Sequence, residues 1–133
     1  MGEWCASQKR QHLLRCAPDC ADRILKIDTI QDTVETLDDI ELPETSIFLW
    51  ASGALAPDNH IYYMPKFARR IMRLNPDNDS LSSVGADLGV TGGWKYSGTV
   101  VGNDNCVYGI PYYTTHAIII SHHRSTVLEP LFS

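Results

Sequence analysis

Histidine and cysteine are clustered near the start of the chain. His12, Cys16 and Cys20 follow one another at intervals of four residues, and imidazole nitrogen and thiolate sulfur are ligands that zinc prefers. A structural zinc site needs a further ligand, and no CxxC pair supplies one. The segment therefore predicts no zinc site, and we expect Cys16 to pack within a sheet.

Oxygen ligands recur at alternate positions in the middle of the chain. Asn75, Asp77 and Asp79 imitate the start of a calcium-binding loop. The glycine that such a loop needs next is replaced by Ser80, and its closing glutamate by Ala86. The segment favours a turn, in which Asn and Asp side chains bond the local backbone. We predict no metal and no other cofactor.

Motifs for phosphate binding and nucleophilic catalysis are incomplete. The glycine-rich segment 85–93 lacks the Gly-Lys-Ser/Thr ending of a P-loop, so we interpret it as a flexible connection. No Gly-x-Ser-x-Gly elbow is present, and no cysteine lies in a known nucleophile motif. His122 and His123 have no carboxylate placed beside them by the sequence. These patterns predict a protein that is not an enzyme.

Composition narrows the class of partner. The chain has 133 residues, 44% hydrophobic and 20% charged, with a formal net charge of −5, which is typical of a folded globular domain. The absence of a basic stripe argues against nucleic acid, and no apolar run is long enough to cross a bilayer. No signal peptide is visible and the four cysteines suggest reduced thiols, so the default expectation is the cytoplasm.

A repeat of about 47 residues organises these segments. Pro18, Pro65 and Pro111 are spaced 47 and 46 residues apart; each is preceded by an apolar segment and followed by a polar stretch and a second apolar run. Further agreements are Ser52-Gly53 with Ser97-Gly98, and the matching segments that begin at Asp32, Asp79 and Ser125. Such internal periodicity is typical of repeat architectures.

Each repeat is predicted to contain four short strands. The apolar runs are short, rich in β-branched and aromatic residues, and separated by Pro, Gly, Asn and Asp. In the middle copy we expect strands at 52–56, 60–64, 69–74 and 81–84, with turns at 58–59 and 75–79. The last copy repeats this at 97–101, 107–110, 117–121 and 126–128. In the first copy the opening strand, near 4–7, is eroded.

Short antiparallel strands in groups of four, at this period, indicate β-propeller blades. We predict an all-β chain with two and a half to three four-stranded blades and an incomplete ring. It forms one repeat domain, 1–133, with blades at about 1–49, 50–94 and 95–133. Other β-repeat arrays and a non-repeat β fold are the alternatives.

The repeats also resemble a known group. The segments 23–29 and 32–36 resemble the V-I-D-T-x-T-x-T-V core of YVTN-type and NHL-like propeller repeats. Ile61-Tyr62-x-x-Pro65 and Val107-Tyr-Gly-Ile-Pro111 are similar to the I-Y-G-I-P repeats of uncharacterised multi-repeat proteins. The resemblance implies a propeller, usually with more blades than this chain supplies, and implies no particular activity.

Blade geometry predicts which residues share a face. The second turn of each blade and the connection between blades lie at one end, which groups five candidate ligand-binding residues: Lys66, Phe67, Trp94, Tyr112 and Tyr113. The opposite end is expected to be acidic and to contain Asp28, Asp32, Asp58, Asp77, Asp79 and Asp104, with 122–124. We expect Tyr62 and Tyr108 to pack between blades.

The scaffold and the missing catalytic motifs favour a non-enzymatic binding module for a protein or small ligand. A fragment of a longer propeller without an independent role and a propeller lyase or lactonase-like enzyme are the alternatives. Since propellers usually need four to eight blades, we expect the outer blades to be covered. A longer protein, a second copy or another partner would each cover them, and the longer protein is favoured.

Overall fold

The described part of this computed structural model consists of strands joined by turns. It comprises residues 23–37, 49–89 and 94–121, together with the backbone of the strands at 5–7, 13–16 and 125–127. The strands are β1 (Cys5–Ser7), β2 (Leu13–Cys16), β3 (Leu25–Asp28), β4 (Thr33–Thr36), β5 (Trp50–Leu55), β6 (Ile61–Pro65), β7 (Ile71–Asn75), β8 (Ser80–Val84), β9 (Tyr96–Val101), β10 (Val107–Pro111), β11 (Ile118–Ile120) and β12 (Ser125–Val127). Within those residues there is no helix with the length and apolar character that a membrane span requires.

The strands form three four-stranded antiparallel sheets, each in simple sequence order. Blade 1 contains β1–β4, blade 2 contains β5–β8 and blade 3 contains β9–β12. The first strands of the three blades are neighbours, since β5 contacts both β1 and β9. The predicted all-β, four-stranded blades are therefore confirmed.

Asx turns join the first two strands of blades 2 and 3. Asp58 accepts a hydrogen bond from the amide of His60 at 3.0 Å, and Asp104 accepts one from the amide of Cys106 at 3.0 Å. Asn59 and Asn105 follow these aspartates with φ of 67° and 65°, a left-handed conformation that Asn tolerates.

The third turn is also built from local side-chain bonds. In blade 1 the carboxylate of Asp28 accepts hydrogen bonds from the amides of Ile30 and Gln31. In blade 2 the side-chain oxygens of Asn75 and Asn78 each accept a hydrogen bond from the amide two residues ahead. Asp32 and Asp79 end these turns with φ of 54° and 56°. The prediction that Asp and Asn in these segments form turns is confirmed for the residues that make these bonds.

Blade 2 is buried on both faces because neighbouring blades cover it. Alternate residues of β6 point to opposite sides of the sheet, so Ile61 and Tyr63 join one core while Tyr62 and Met64 join the other. The core toward blade 1 contains Ile24, Leu49, Trp50, Ile61, Tyr63, Ala68, Met72 and Leu74. The core toward blade 3 contains Ala56, Tyr62, Met64, Ile71, Tyr96, Val107, Ile118 and Ile120. This explains why β6 is apolar without alternation.

Polar contacts also join the blades. Thr99 on β9 donates its hydroxyl to the carbonyl of Ser52 on β5 at 2.8 Å, and its amide donates to the Ser52 hydroxyl at 3.1 Å. Between blades 1 and 2, the Lys26 ammonium donates to the Asp79 carboxylate at 3.0 Å. The blades are thus tied together near the inner strands and at the third turn.

The register corrects two details of the predicted repeat alignment. Gly53 pairs with Tyr63, and Thr99 pairs with Gly109. Tyr63 and Gly109 hold the same place in the repeat, because they lie 46 residues apart, as do Pro65 and Pro111. Their partners therefore correspond as well, so Thr99 rather than Gly98 matches Gly53. The shared Ser-Gly letters lie 45 residues apart and are therefore one position out of the structural alignment. The extra residues near the starts of β5 and β9 lie at equivalent places in the two strands, so they leave this alignment unchanged.

The second correction concerns the last strand. Val127 pairs with Ile118 in blade 3. Ile118 is the residue of blade 3 that corresponds to Met72 of blade 2, and Met72 pairs with Ser83. Val127 therefore corresponds to Ser83 and not to Leu81, because four residues separate Ile120 from its partner Ser125, whereas six separate the equivalent Leu74 from its partner Leu81. The displacement of two residues keeps the same side of the sheet.

Candidate functional site

Backbone hydrogen bonds fix the loops at one end of blades 2 and 3. The amide of Lys66 donates to the carbonyl of Leu49 at 2.8 Å, the amide of Lys95 to Lys66 at 3.0 Å, and the amide of Tyr112 to Lys95 at 2.9 Å. The amide of Tyr113 donates to the carbonyl of Trp94 at 3.0 Å. This ladder brings the second turn of each blade beside the connection that enters the blade.

The side chains on this ladder form one connected group, which we name the aromatic cluster: Lys66, Trp94, Tyr112 and Tyr113. The Lys66 ammonium lies 4.2 Å from the centroid of the Trp94 ring, a cation–π contact. The rings of Trp94 and Tyr112 are 5.3 Å apart and tilted, and Tyr112 and Tyr113 meet edge to face at 4.7 Å.

Exposure increases steadily along the aromatic cluster. Lys66 is buried and Trp94 is half-buried, whereas Tyr112 is 57% and Tyr113 72% exposed. The Trp94 indole N–H donates to the carbonyl of Tyr96, which holds the ring in place. The cluster is therefore anchored at its base and presents two phenol rings to solvent.

Phe67 is the fifth predicted residue, and the buried side chain of Lys95 holds its loop beside the aromatic cluster. The ammonium of Lys95 donates to the carbonyl of Ala68 at 3.0 Å and lies 3.5 Å from that of Phe67, and Phe67 is 40% exposed. Sequence reasoning did not single out the side chain of Lys95, because a lysine in a connection is ordinarily solvated. Here it supports the loop that contains Phe67.

Charged residues lie next to this group. The guanidinium of Arg69 donates to both carboxylate oxygens of Asp87, at 3.0 and 2.8 Å from Nε, and the amide of Leu88 donates to the carbonyl of Arg69. The hydrogen bond from Arg69 lowers the pKa of Asp87 below its ordinary value. The pair ties the second turn of blade 2 to the start of the following connection.

Two of the aspartates predicted for the opposite end accept hydrogen bonds from tyrosine side chains of the same blade. Asp58 accepts the hydroxyl of Tyr62 at 2.7 Å, and Asp104 accepts that of Tyr108. The bond from Tyr108 lowers the pKa of Asp104 below its ordinary value. Tyr62 is buried between blades 2 and 3 as predicted, whereas Tyr108 is only half-buried.

Several candidates from the sequence lie outside the described residues: His12, Cys20, 90–93 and 122–124, together with the side chain of Cys16. Among the residues that the structure does describe, no three His, Cys, Asp or Glu side chains are grouped as metal ligands.

Comparison with known proteins identifies the fold. No protein-family model and no curated protein matches the chain. A streptogramin B lyase superposes with a TM-score of 0.72 at 15% identity, over 94% of this chain and 39% of its own. Virginiamycin B lyase from Staphylococcus aureus gives 0.70 at 16%, over 88% and 37%, and hydrazine synthase of Kuenenia stuttgartiensis gives 0.66 at 12%, over 97% and 36%.

These TM-scores establish a shared fold, and sequence identities this low indicate nothing about activity. The chain spans less than two-fifths of the length of these structures. It is an all-β chain whose three blades form an incomplete β-propeller ring.

Proposed function

We propose that this protein is a non-enzymatic binding module that presents the aromatic cluster to a protein or small ligand. The observation that supports the proposal is the exposure of Tyr112 and Tyr113 on a loop whose backbone is fixed by hydrogen bonds to Lys95 and Trp94. Rigid loops place binding residues at little entropic cost on association. Aromatic side chains in such positions often contribute much of the binding free energy.

The chemistry of the cluster favours a ligand with flat or apolar surface. The cation–π face of Trp94 is already occupied by the Lys66 ammonium, so the surface offered to a partner is the two phenol rings. Burying them would release about 25 cal/mol for each Å² of apolar surface removed from water. Their hydroxyl groups would add hydrogen bonds that orient the partner.

We also propose that the repeats belong to the YVTN/NHL-like type of propeller blade. Two residues that carry the resemblance have structural roles here: Ile24 packs in the core between blades 1 and 2, and Asp28 caps the third turn. The likeness to lyases concerns the fold and adds no support for a lyase activity.

Capture of binding partners from a lysate or from a ligand library tests the binding proposal. The double variant Tyr112→Ala/Tyr113→Ala should reduce retention of a specific partner at least about tenfold, the loss expected for an aromatic hot spot. The matched control is Ile30→Asp, which changes an exposed turn residue to the type found at the equivalent Asp77. Equal retention by both variants, with unchanged circular dichroism, would overturn the proposal.

A fragment of a longer propeller is the second candidate. It is favoured by the limited coverage of the matched structures. The purified chain should then fail to unfold cooperatively in urea, whereas a sharp transition would argue for an independent domain.

A further inference from the structure

Packing between blades 2 and 3 shows how one blade covers the next. We define the leading face of a blade as the side toward the following blade and the trailing face as the side toward the preceding one. The leading face of blade 2 contributes Tyr62, Met64 and Ile71, and the trailing face of blade 3 contributes Val107, Ile118 and Ile120. Apolar side chains fill this interface on both sides.

The leading face of blade 3 keeps the same character but is exposed. Ile110, which corresponds to Met64, is 40% exposed, whereas Met64 is fully buried. Val100 lies opposite Tyr108 across the ladder and is 48% exposed. Tyr108 and its neighbour Ile119 on β11 are half-buried. These four residues form an apolar patch on the side where a following blade would pack.

The trailing face of blade 1 is exposed in the complementary way. Ile27 pairs with Val34, as Leu74 pairs with Leu81 in blade 2. Leu74 is fully buried against blade 1 and Leu81 packs on the same core, whereas Ile27 is half-buried and Val34 is 62% exposed. The side chains are apolar and have the size that the interface position accepts in blade 2.

We propose that the leading face of blade 3 docks on the trailing face of blade 1 in a second copy of the chain. A second copy is the occupant because its blade 1 has the fold and the residue types that cover a leading face inside this molecule. The same chain carries both halves of the interface, so the contact is head to tail. This surface contains none of the residues of the aromatic cluster, and the inference does not depend on the proposed binding function.

A head-to-tail contact between copies either closes a ring or builds an open chain of copies. Two copies together supply six blades, which lies within the four to eight that propellers typically contain. They close a ring if successive blades turn by about one sixth of a circle. A smaller turn produces longer assemblies. Both results give a mass above that of the monomer, and both bury the apolar patches whose exposure would otherwise favour aggregation.

The test is solution mass by size-exclusion chromatography with light scattering. We expect the wild type to form a dimer or larger assembly, and Ile110→Glu and Val34→Glu to be monomers at the same concentration. Ile30→Asp, which changes an exposed isoleucine in a turn, is the control that keeps the wild-type mass. Circular dichroism verifies that each variant retains its sheet content.

Mixing the variants tests the direction of the contact. Ile110→Glu retains an intact trailing face and Val34→Glu an intact leading face, so an equimolar mixture should form a heterodimer although each variant alone is monomeric. A face-to-face contact between identical patches would instead be lost in only one of the two variants. A folded wild-type monomer at about 100 µM, or a mixture that stays monomeric, would overturn the proposal.

Discussion

Gly53 and Tyr63 face each other across β5 and β6, and the Tyr63 ring fills the space that a side chain at Gly53 would need. A Cβ at Gly53 would lie 2.5 Å from Cε1 and 2.7 Å from Cδ1 of that ring. In blade 3 the corresponding pair is Thr99 and Gly109, so the glycine is on the other strand. The space beside Gly109 is filled by the side chains of Met64 and Tyr96.

Gly53→Ala should therefore destabilise the protein. Tyr63 is fully buried, and its ring cannot move away without disturbing the core between blades 1 and 2. Overpacking of this kind costs about 1–3 kcal/mol, to be measured as the free energy of unfolding in urea.

Gly98→Ala is the control for this change. The nearest atom to an added Cβ there is the Ser52 hydroxyl at 3.6 Å, an ordinary contact. We expect no loss, or a small gain from the reduced entropy of the unfolded chain. Equal destabilisation by the two substitutions would contradict the steric explanation.

The ion pair between Lys26 and Asp79 should couple blades 1 and 2. Both side chains are about four-fifths buried, and Asp79 adopts positive φ, so Asp79→Asn removes the charge while keeping a residue that tolerates this backbone. We expect a loss of up to about 1 kcal/mol that shrinks at high salt.

Asp32→Asn is the matched variant, since Asp32 ends the equivalent turn of blade 1 with a similar φ and is exposed. It should change the free energy of unfolding by less than about 0.5 kcal/mol. A double-mutant cycle of Lys26→Met with Asp79→Asn isolates the pair; a coupling energy near zero would show that the contact contributes nothing.

The strands and turns could be predicted from the sequence because their causes are local. The pattern around Asp58-Asn59 specifies a turn whatever surrounds it, since the carboxylate bonds the backbone two residues ahead. The alignment of Ser52-Gly53 with Ser97-Gly98 was wrong for the opposite reason. The correspondence between β5 and β9 is fixed by their partners on the next strand, since Gly53 pairs with Tyr63 and Thr99 pairs with Gly109. Two shared letters in the sequence do not show that pairing.

The sequence could predict which residues lie together at the candidate site better than it could predict how their side chains contact one another. Blade topology placed Lys66, Trp94 and Tyr112 at one end, and the backbone ladder brings them together. The burial of Lys66 under the Trp94 ring and of Lys95 beneath the loop at Phe67 was not predictable. Both depend on how blades 2 and 3 pack, which sequence spacing does not specify.

Tyr62 should make stability depend on alkaline pH. Burial between blades and the hydrogen bond to Asp58 raise the pKa of Tyr62 from 10.0 to about 12. Because folding favours the neutral phenol, this stabilisation is fully present below the unfolded pKa near 10. It is lost as pH rises through about 12, and a shift of this size corresponds to roughly 2–3 kcal/mol.

Urea denaturation between about pH 8 and pH 12 measures this effect. The free energy of unfolding should fall more steeply above pH 10 for the wild type than for Tyr62→Phe, which has no phenol to ionise. Tyr108→Phe is the comparison: the bond to Asp104 also raises the pKa of Tyr108, but Tyr108 is less buried, so we expect this substitution to change the pH profile less than Tyr62→Phe does. Identical pH profiles for the wild type and Tyr62→Phe would exclude the phenol as the cause.

The hydroxyl of Thr99 should contribute to the junction of blades 2 and 3. Thr99→Val keeps the shape and β-branching of the side chain but removes the donor to the carbonyl of Ser52, which lies 2.8 Å away. Ser52 is buried, so its carbonyl loses a partner where water has little access. We expect a loss of about 1–3 kcal/mol in the free energy of unfolding, the cost of an unsatisfied buried acceptor.

The same substitution at an exposed position separates this bond from strand propensity. Thr33 begins β4 and is exposed, so Thr33→Val should shift the free energy of unfolding by no more than about 0.5 kcal/mol. Hydrogen exchange at the amides of β9 gives an independent measure, since a weaker junction should open more often in Thr99→Val. If both valine variants unfold at the same urea concentration and exchange alike, the Thr99–Ser52 bond does not hold the blades together.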